Sequence, residues 1–303
     1  MVERRPGVMP PKPGPPPRQI PRGRIRRRRL AAAGGVLLVL VVVWVLVSVA
    51  SGGKSASPPT TTAIVLAKPF RIVFPEGFSR RDMAHRVQVV AKVAQGEHRG
   101  HVKLSSKTYL AESHARHLAG FGAKRLPLEG FLFPATYDFV AATTSAQLVQ
   151  KQLAAFADNW SQVDLRYARS KNLTPYDVLI IASMVEKEAL APDERPKIAA
   201  VIYNRLHDHM PLGIDATIRY GLNVPGTKSL LESELQSNNP YNTRKFAGLP
   251  PTPIANPGLA SIQAAAHPAH VDYLYFVRKP DKIHHYFTNS FNDFVNHEHK
   301  YGY

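Results

Sequence analysis

The chain has 303 residues, 44% of them hydrophobic and 20% charged, which is room for one large domain or two smaller ones. It has no cysteine, which excludes disulfides, a thiol nucleophile and thiolate metal centres. The formal charge is +17, but residues 1–30 hold ten Arg or Lys against one Glu; more than half of the excess therefore sits in one tail, which takes about half the support from a nucleic-acid reading, and the remainder suits an anionic polymer or a membrane surface.

Residues 1–29 are rich in Pro, Gly and Arg, cannot bury a core, and are expected to be a disordered basic tail. Leu30 to Ala50 follows as 21 residues without a charge, long enough as a helix to span about 30 Å of hydrocarbon. The arginines before it predict a cytoplasmic N-terminus, with the bulk of the chain outside the cell membrane. Ser48–Val49–Ala50 weakly imitates a cleavage site, but the apolar run is longer than a signal peptide requires. Residues 51–67 read as a linker.

A small module is expected over 68–125. Phe70–Phe74 reads as a strand and Pro75–Glu76–Gly77 as a turn. Ser79 with Asp82 forms a capping box for a helix carrying Met83, Val87, Val90 and Ala91. The stretch from Val93 to Leu104, with His98 and His101, is expected as loop rather than as a metal site. A second helix is expected from Lys107 to about Leu118, capped by Ser106.

The larger part, 126–303, opens with short strands and turns over Leu126–Phe139, around the single acid Glu129. Thr144 or Ser145 caps a helix with Leu148, Leu153 and Phe156 inward. Thr174, Pro175 and Asp177 then carry a cap, a first-turn proline and a capping-box acid ahead of an apolar run to Val185. A helix this apolar is a buried one. Glu186 and Glu188 end it on roughly opposite faces. Glu186 is open to two readings: the solvated end of a core helix, or an acid at the mouth of an apolar pocket, its pKa raised so that it can give up a proton. A helix over Asp193–Leu206, a short one over Ser261–Ala266, and strands at Tyr273–Val277 and Tyr286–Thr288 complete an α+β pattern.

Polar clusters in apolar surroundings mark where chemistry could sit: Glu186 with Glu188, Glu194 and Arg195; Asp215 within 212–221; and Asn238 to Pro257. Loops rich in Asn, Tyr and Thr suit sugar hydroxyls and acetamido groups, although such loops also simply cover cores. G-x-S-x-G, H-E-x-x-H, the P-loop and G-x-G-x-x-G are all missing. Neither a cofactor nor a metal is expected.

From about residue 68 to the end the chain resembles the YceG-like family of endolytic murein transglycosylases, the MltG group of membrane-anchored bacterial enzymes. The resemblance is carried by VFPEG (73–77), LEGFLFPATY (128–137), ASMVEKE (182–188), ER (194–195), NRL (204–206), DATIRYG (215–221), PYNTR (240–244), GLPPTPIANPG (248–258), AAHP (265–268), YLYFV (273–277) and HYF (285–287). Departures are Ala135, where aspartate is frequent, Gly213 and Ala216 around Asp215, and Ile283–His284 where a glycine usually precedes His285. They put subsite geometry in doubt, not activity.

The resemblance implies a LysM-like subdomain followed by a catalytic domain that cuts nascent peptidoglycan strands between N-acetylmuramic acid and N-acetylglucosamine. The product is a 1,6-anhydro end, and strand elongation stops beside the synthases. It implies Glu186 as the catalytic acid. One carboxyl suffices where the substrate's own C6 hydroxyl is the nucleophile, whereas ordinary glycosidases need two. Tyr241, Asn242 and Thr243 are expected to hold the sugars. Asp215 either orients a neighbour or stabilises positive charge. Arg195 could bind a peptide or lactyl carboxylate or form a structural ion pair. Glu129 and His285 are further substrate-binding candidates. A water-adding muramidase using Asp215, and a non-catalytic glycan-binding scaffold, are the alternatives.

Overall fold

Short strands joined through helices organise the chain. In the computed structural model, residues 69–98 and 101–303 are described, and residues from Leu66 onward form one compact unit. The expected tail, membrane span and linker all lie outside the described residues. Among the described residues no helix is long and apolar enough to cross a membrane.

Strand β1 (Phe70–Val73) leads through the Glu76–Gly77 turn into α1 (Arg80–His98). The Ser79–Asp82 box forms: the Ser79 N–H donates to Asp82 Oδ2 at 2.9 Å. Helix α1 runs on through Gly96, where a loop was expected, because Ala91 and Ala94 continue its buried stripe. Helix α2 (Ser106–Glu112) is capped by Ser105 rather than Ser106, and ends about six residues earlier than expected, leaving room for β2 (Ala115–Arg116). Strands β3 (Leu126–Pro127) and β4 (Thr136–Phe139) follow, then α3 (Ser145–Trp160), which Thr144 and Gln147 cap reciprocally.

The strands make three two-stranded antiparallel sheets, of which the first two pair β1 with β4 and β2 with β3. Both cross residue 125, where a domain boundary was expected. Tyr109 Oη on α2 also donates to Gln152 on α3 at 2.7 Å, and both side chains are buried. The described residues before 125 therefore share sheets and a core with those beyond it.

Helices α4 (Arg166–Ser170), α5 (Pro175–Glu188) and α6 (Arg195–His207) come next, with a 3₁₀ turn, Pro192–Glu194, before α6. The Thr174–Asp177 capping box forms, and Val178 to Val185 are all buried. Eight consecutive buried positions leave α5 no solvent face, so it runs through the core, packed on α6 and on α9 (Leu259–Ala266). Between α6 and α9 lie α7 (Asp215–Leu222) and α8 (Glu232–Leu235). The chain closes with β5 (Tyr275–Arg278), paired antiparallel with β6 (His285–Thr288), and α10 (Phe291–Tyr301). Helices α4, α7, α8 and α10 were not anticipated as helices.

Candidate active site

A cavity of about 1200 Å³ opens where the end of α5, the start of α7, β5 and β6 meet the turn around Gly77. Its wall includes Glu188, Asp215, Arg244, Arg278 and His285. Glu186 is not in that wall.

Glu186 and Glu188 part ways because 100° per residue sends the two side chains to different sides of α5. Glu186 Oε2 accepts the Gly258 N–H at 3.1 Å, at the N-cap of α9, where the helix dipole suits a carboxylate. Gly77, itself in the cavity wall, packs on the other side: a Cβ there would stand 3.6 Å from Glu186 Cγ. Glu76 adjoins the same place, and a Cβ on Gly258 would collide with its carboxylate. Partial desolvation and the Glu186 charge push the Glu76 carboxyl up, against the pull of Arg195. Arg195 Nε donates to Ser261 Oγ at 3.1 Å, on α9. Glu76, Glu186 and Arg195 thus form a polar cluster around the start of α9, apart from the cavity wall.

Glu188 meets part of the description that sequence reasoning attached to Glu186, although the cavity beside it is lined by charged groups rather than apolar ones. It ends a core helix and is half-buried in the cavity wall. Burial pushes its carboxyl up to about 7; the Asp215 charge adds to this, and Arg278, Lys187 and Arg244 oppose it.

Asp215 is the first residue of α7 and pairs with Arg244 Nε at 2.5 Å. The supports of this pair are Asn242 and Thr243, both buried. Thr243 Oγ1 accepts the Ile214 N–H at 3.1 Å and its carbonyl accepts the Gly213 N–H at 2.9 Å, which fixes the entry to α7. Asn242 Nδ2 donates to the Leu235 and Ser237 carbonyls, and its Oδ1 accepts the Arg244 N–H at 3.2 Å. Tyr241 packs on Tyr220 at 5.2 Å and its hydroxyl meets Thr252 Oγ1 at 2.8 Å. None of the three lines the cavity. The expectation that they hold sugars gives way to a framework role, because their polar atoms bond to the protein. Signals for this existed in P-Y-N-T-R: Asn and Thr bond readily to nearby main chain.

Glu129 is buried beneath the site. Oε1 accepts from the Arg80 N–H at 2.8 Å and from Asn256 Nδ2 at 2.9 Å, and Oε2 accepts the Tyr220 hydroxyl at 2.9 Å. Burial pushes its carboxyl up to about 7, against these donors. It too is a framework residue: both oxygens already have protein partners. Asn256 extends the network, taking the Leu132 N–H on Oδ1 and the Gly77 N–H on its carbonyl.

His285 lines the cavity while its Nδ1 lies 2.7 Å from Glu194 Oε2. Arg278, its partner across the β5–β6 ladder, also lines the cavity, and none of the described hydrogen bonds or ion pairs engages its side chain. Arg205 holds the neighbouring wall by donating to the carbonyls of Leu274, Pro211 and Leu212. The cavity therefore joins an acid whose proton is loosely held near neutrality to several cations, an imidazole and an ion-paired aspartate. Sequence reasoning grouped Glu188 with Glu186 without giving it a role, and gave none to Arg278, nor to Arg244 and Glu76, although these two lie within P-Y-N-T-R and V-F-P-E-G. Among the described residues no group of His, Asp and Glu is arranged to hold a metal ion.

Comparison with known proteins gives a consistent picture. The model of a family described as YceG-like matches residues 54–300. The chain is 40% identical over 153 residues, half of its length, to an endolytic murein transglycosylase of Bacillus subtilis. It is 33% identical over 242 residues, 73% of its length, to one of Streptococcus pneumoniae. The matched stretches span 42% and 43% of those two relatives. A crystal structure of a yceG-like protein from Listeria monocytogenes superposes with a TM-score of 0.62 at 27% identity, over 76% of each chain.

Proposed function

The chain belongs to the YceG-like family, and on that premise we propose that it is a lytic transglycosylase that cuts peptidoglycan glycan strands internally and leaves 1,6-anhydromuramic ends. The observation that carries this reading is the cavity of about 1200 Å³ at the end of α5, which has room for several sugar units and sets the Glu188 carboxyl in one wall with Asp215, Arg244, Arg278 and His285. The names of the relatives in Bacillus and Streptococcus support the substrate class.

Because it lines the cavity, Glu188 is the acid in this proposal, in place of the Glu186 that the resemblance implies. Protonated at neutral pH, it gives its proton to the glycosidic oxygen as the bond to C1 breaks through an oxocarbenium-like state. The muramic C6 hydroxyl then closes on C1. Intramolecular attack replaces the second carboxyl of a hydrolase and gains from proximity. Asp215, beside Glu188 and anchored by Arg244, faces the positive charge that develops. If Asp215 instead activated water, the product would be a reducing end.

The expected anchor at 30–50 would hold the enzyme to the outer face of the cell membrane with its tail in the cytoplasm. A LysM-like glycan contact from the β1–α1–α2 region, and termination of nascent strands beside peptidoglycan synthases, belong to the same proposal. The test is to incubate the full-length protein with uncrosslinked strands and weigh the products. Anhydro ends, lighter by one water than reducing ends, support it; reducing ends, or no turnover, overturn it.

A further inference from the structure

Helix α10 carries an apolar stripe that the protein does not cover. Phe291, Phe294 and Glu298 fall at i, i+3 and i+7 on one side of the helix; Asp293, His297 and Tyr301 fall at i, i+4 and i+8 on another. The second side holds the helix in place. Asp293 Oδ2 accepts the Tyr286 hydroxyl of β6 at 2.6 Å, and the His297 ring stacks on Tyr286 with centroids 3.7 Å apart. The first side is turned to the cavity: Phe291, Phe294 and Glu298 all stand in its wall. No residue of α10 is buried, and Phe291 is 58% exposed.

The rings at this end of the cavity form a single shelf. Tyr275 of β5, also in the wall, stacks on Phe294 at 5.3 Å and lies 5.6 Å from Phe291. The Arg205 guanidinium sits 5.1 Å from the centre of the Tyr275 ring and is itself anchored on three carbonyls. Tyr275 is thereby fixed as the base of the shelf, and Phe291 is the most exposed of the three rings. A contiguous aromatic patch left open and rimmed by charge marks a binding surface.

Glu298 supplies a polar edge. None of the described hydrogen bonds or ion pairs engages its carboxylate, and its charge acts on Arg244, the partner of Asp215. The shelf is therefore continuous with the charged wall, and what fills the cavity meets both. A pyranose ring presents C–H bonds from its faces and hydroxyl and acetamido groups from its edge. The C–H hydrogens suit the negative face of an aromatic ring, and the edge suits a carboxylate acceptor.

We propose, with the transglycosylase reading supplying the identity of the strand, that α10 is a sugar-binding shelf: an N-acetylated sugar of the glycan strand stacks on Phe291 and Phe294 while Glu298 accepts from its hydroxyl or acetamido N–H. The shelf positions the strand in the cavity and takes no part in proton transfer. It therefore contributes equally to the resting strand and to the transition state.

The test uses the full-length protein, with uncrosslinked strands stripped of their stem peptides as the probe and free stem peptide as the rival. Phe291→Ala and Phe294→Ala are each expected to raise KM about fivefold to tenfold with kcat changed less than about twofold, and Phe291→Trp is expected to keep KM close to wild type. Glu298→Ala is expected to raise KM about threefold. In wild type at low temperature, the ring NMR signals of Phe291 and Phe294 are expected to shift on adding peptide-free strands and not on adding stem peptide; this reading needs no variant to fold. An unchanged KM in Phe291→Ala or Glu298→Ala, a loss confined to kcat, or rings that stay still or answer only to stem peptide overturns the inference. Wild type that binds strands through these rings but makes no anhydro ends leaves the shelf standing and removes the transglycosylase reading instead.

Discussion

The two glutamates that end α5 sit two residues apart and inhabit opposite environments. Glu186 faces the start of α9, bonded to the Gly258 N–H beside Glu76 and Arg195. Glu188 faces a cavity, with its carboxyl raised by burial. In the proposed function one helix thus supplies both a structural cap and the proton donor. The assignment depends on which side of the helix meets protein and which meets open space, and not on order in the E-K-E token.

The sharpest way to break this contrast is to remove each carboxyl in turn. Glu188→Gln is expected to lower kcat by about 10³-fold while strand binding persists, measured as anhydro ends by mass spectrometry. Glu186→Gln is expected to turn over near the wild-type rate and to lose about 1 kcal/mol of stability through weaker capping of α9. The reverse pattern would return the acid to Glu186.

The wall that separates the two environments can be attacked next. Asn256 is buried and holds the Leu132 N–H, the Phe78 carbonyl and Glu129 with one side chain. Asn256→Ala strands all three and is expected to cost about 3 kcal/mol in denaturant unfolding. An unchanged midpoint would mean that the Leu132 N–H, the Phe78 carbonyl and Glu129 find other partners.

The pH dependence sharpens the comparison on the cavity side. An acid with its pKa near 7 must be protonated to act, so kcat is expected to fall as pH rises through about 7. Arg278 pulls that pKa down, so Arg278→Gln should carry the alkaline limb to higher pH. A limb that stays in place separates Arg278 from Glu188.

A further effect lies in the framework below. Glu129 ordinarily titrates near 4.5 and is pushed up to about 7 in the fold, so the folded state holds its proton more tightly than the unfolded one does. Its contribution is full below the unfolded pKa and fades as pH rises through the folded pKa. Stability is therefore expected to decline between about pH 4.5 and 7, and Glu129→Gln should flatten that decline in thermal melts. An equally steep decline in the variant would assign it to other groups.

The sequence by itself determined what is local. The capping boxes at Ser79 and Thr174, the cap at Thr144, the apolar run of α5 and the strands at β1, β5 and β6 all follow from contacts within a few residues, which is why they were legible. So was family membership, since many short ordered motifs need no geometry. Helix α7 escaped notice because its start is fixed by Thr243, nearly thirty residues later in the chain, and the pairing of strands across residue 125 was not legible because the partners are far apart in sequence. Only the tertiary structure decided which polar residues face open space. Asn242, Thr243 and Glu129 have the chemistry to bind sugar, but their hydrogen bonds are already made with protein. A side chain's partners are set by what packs against it, and for Glu188, Arg278 and His285 those partners come from elements up to about ninety residues away.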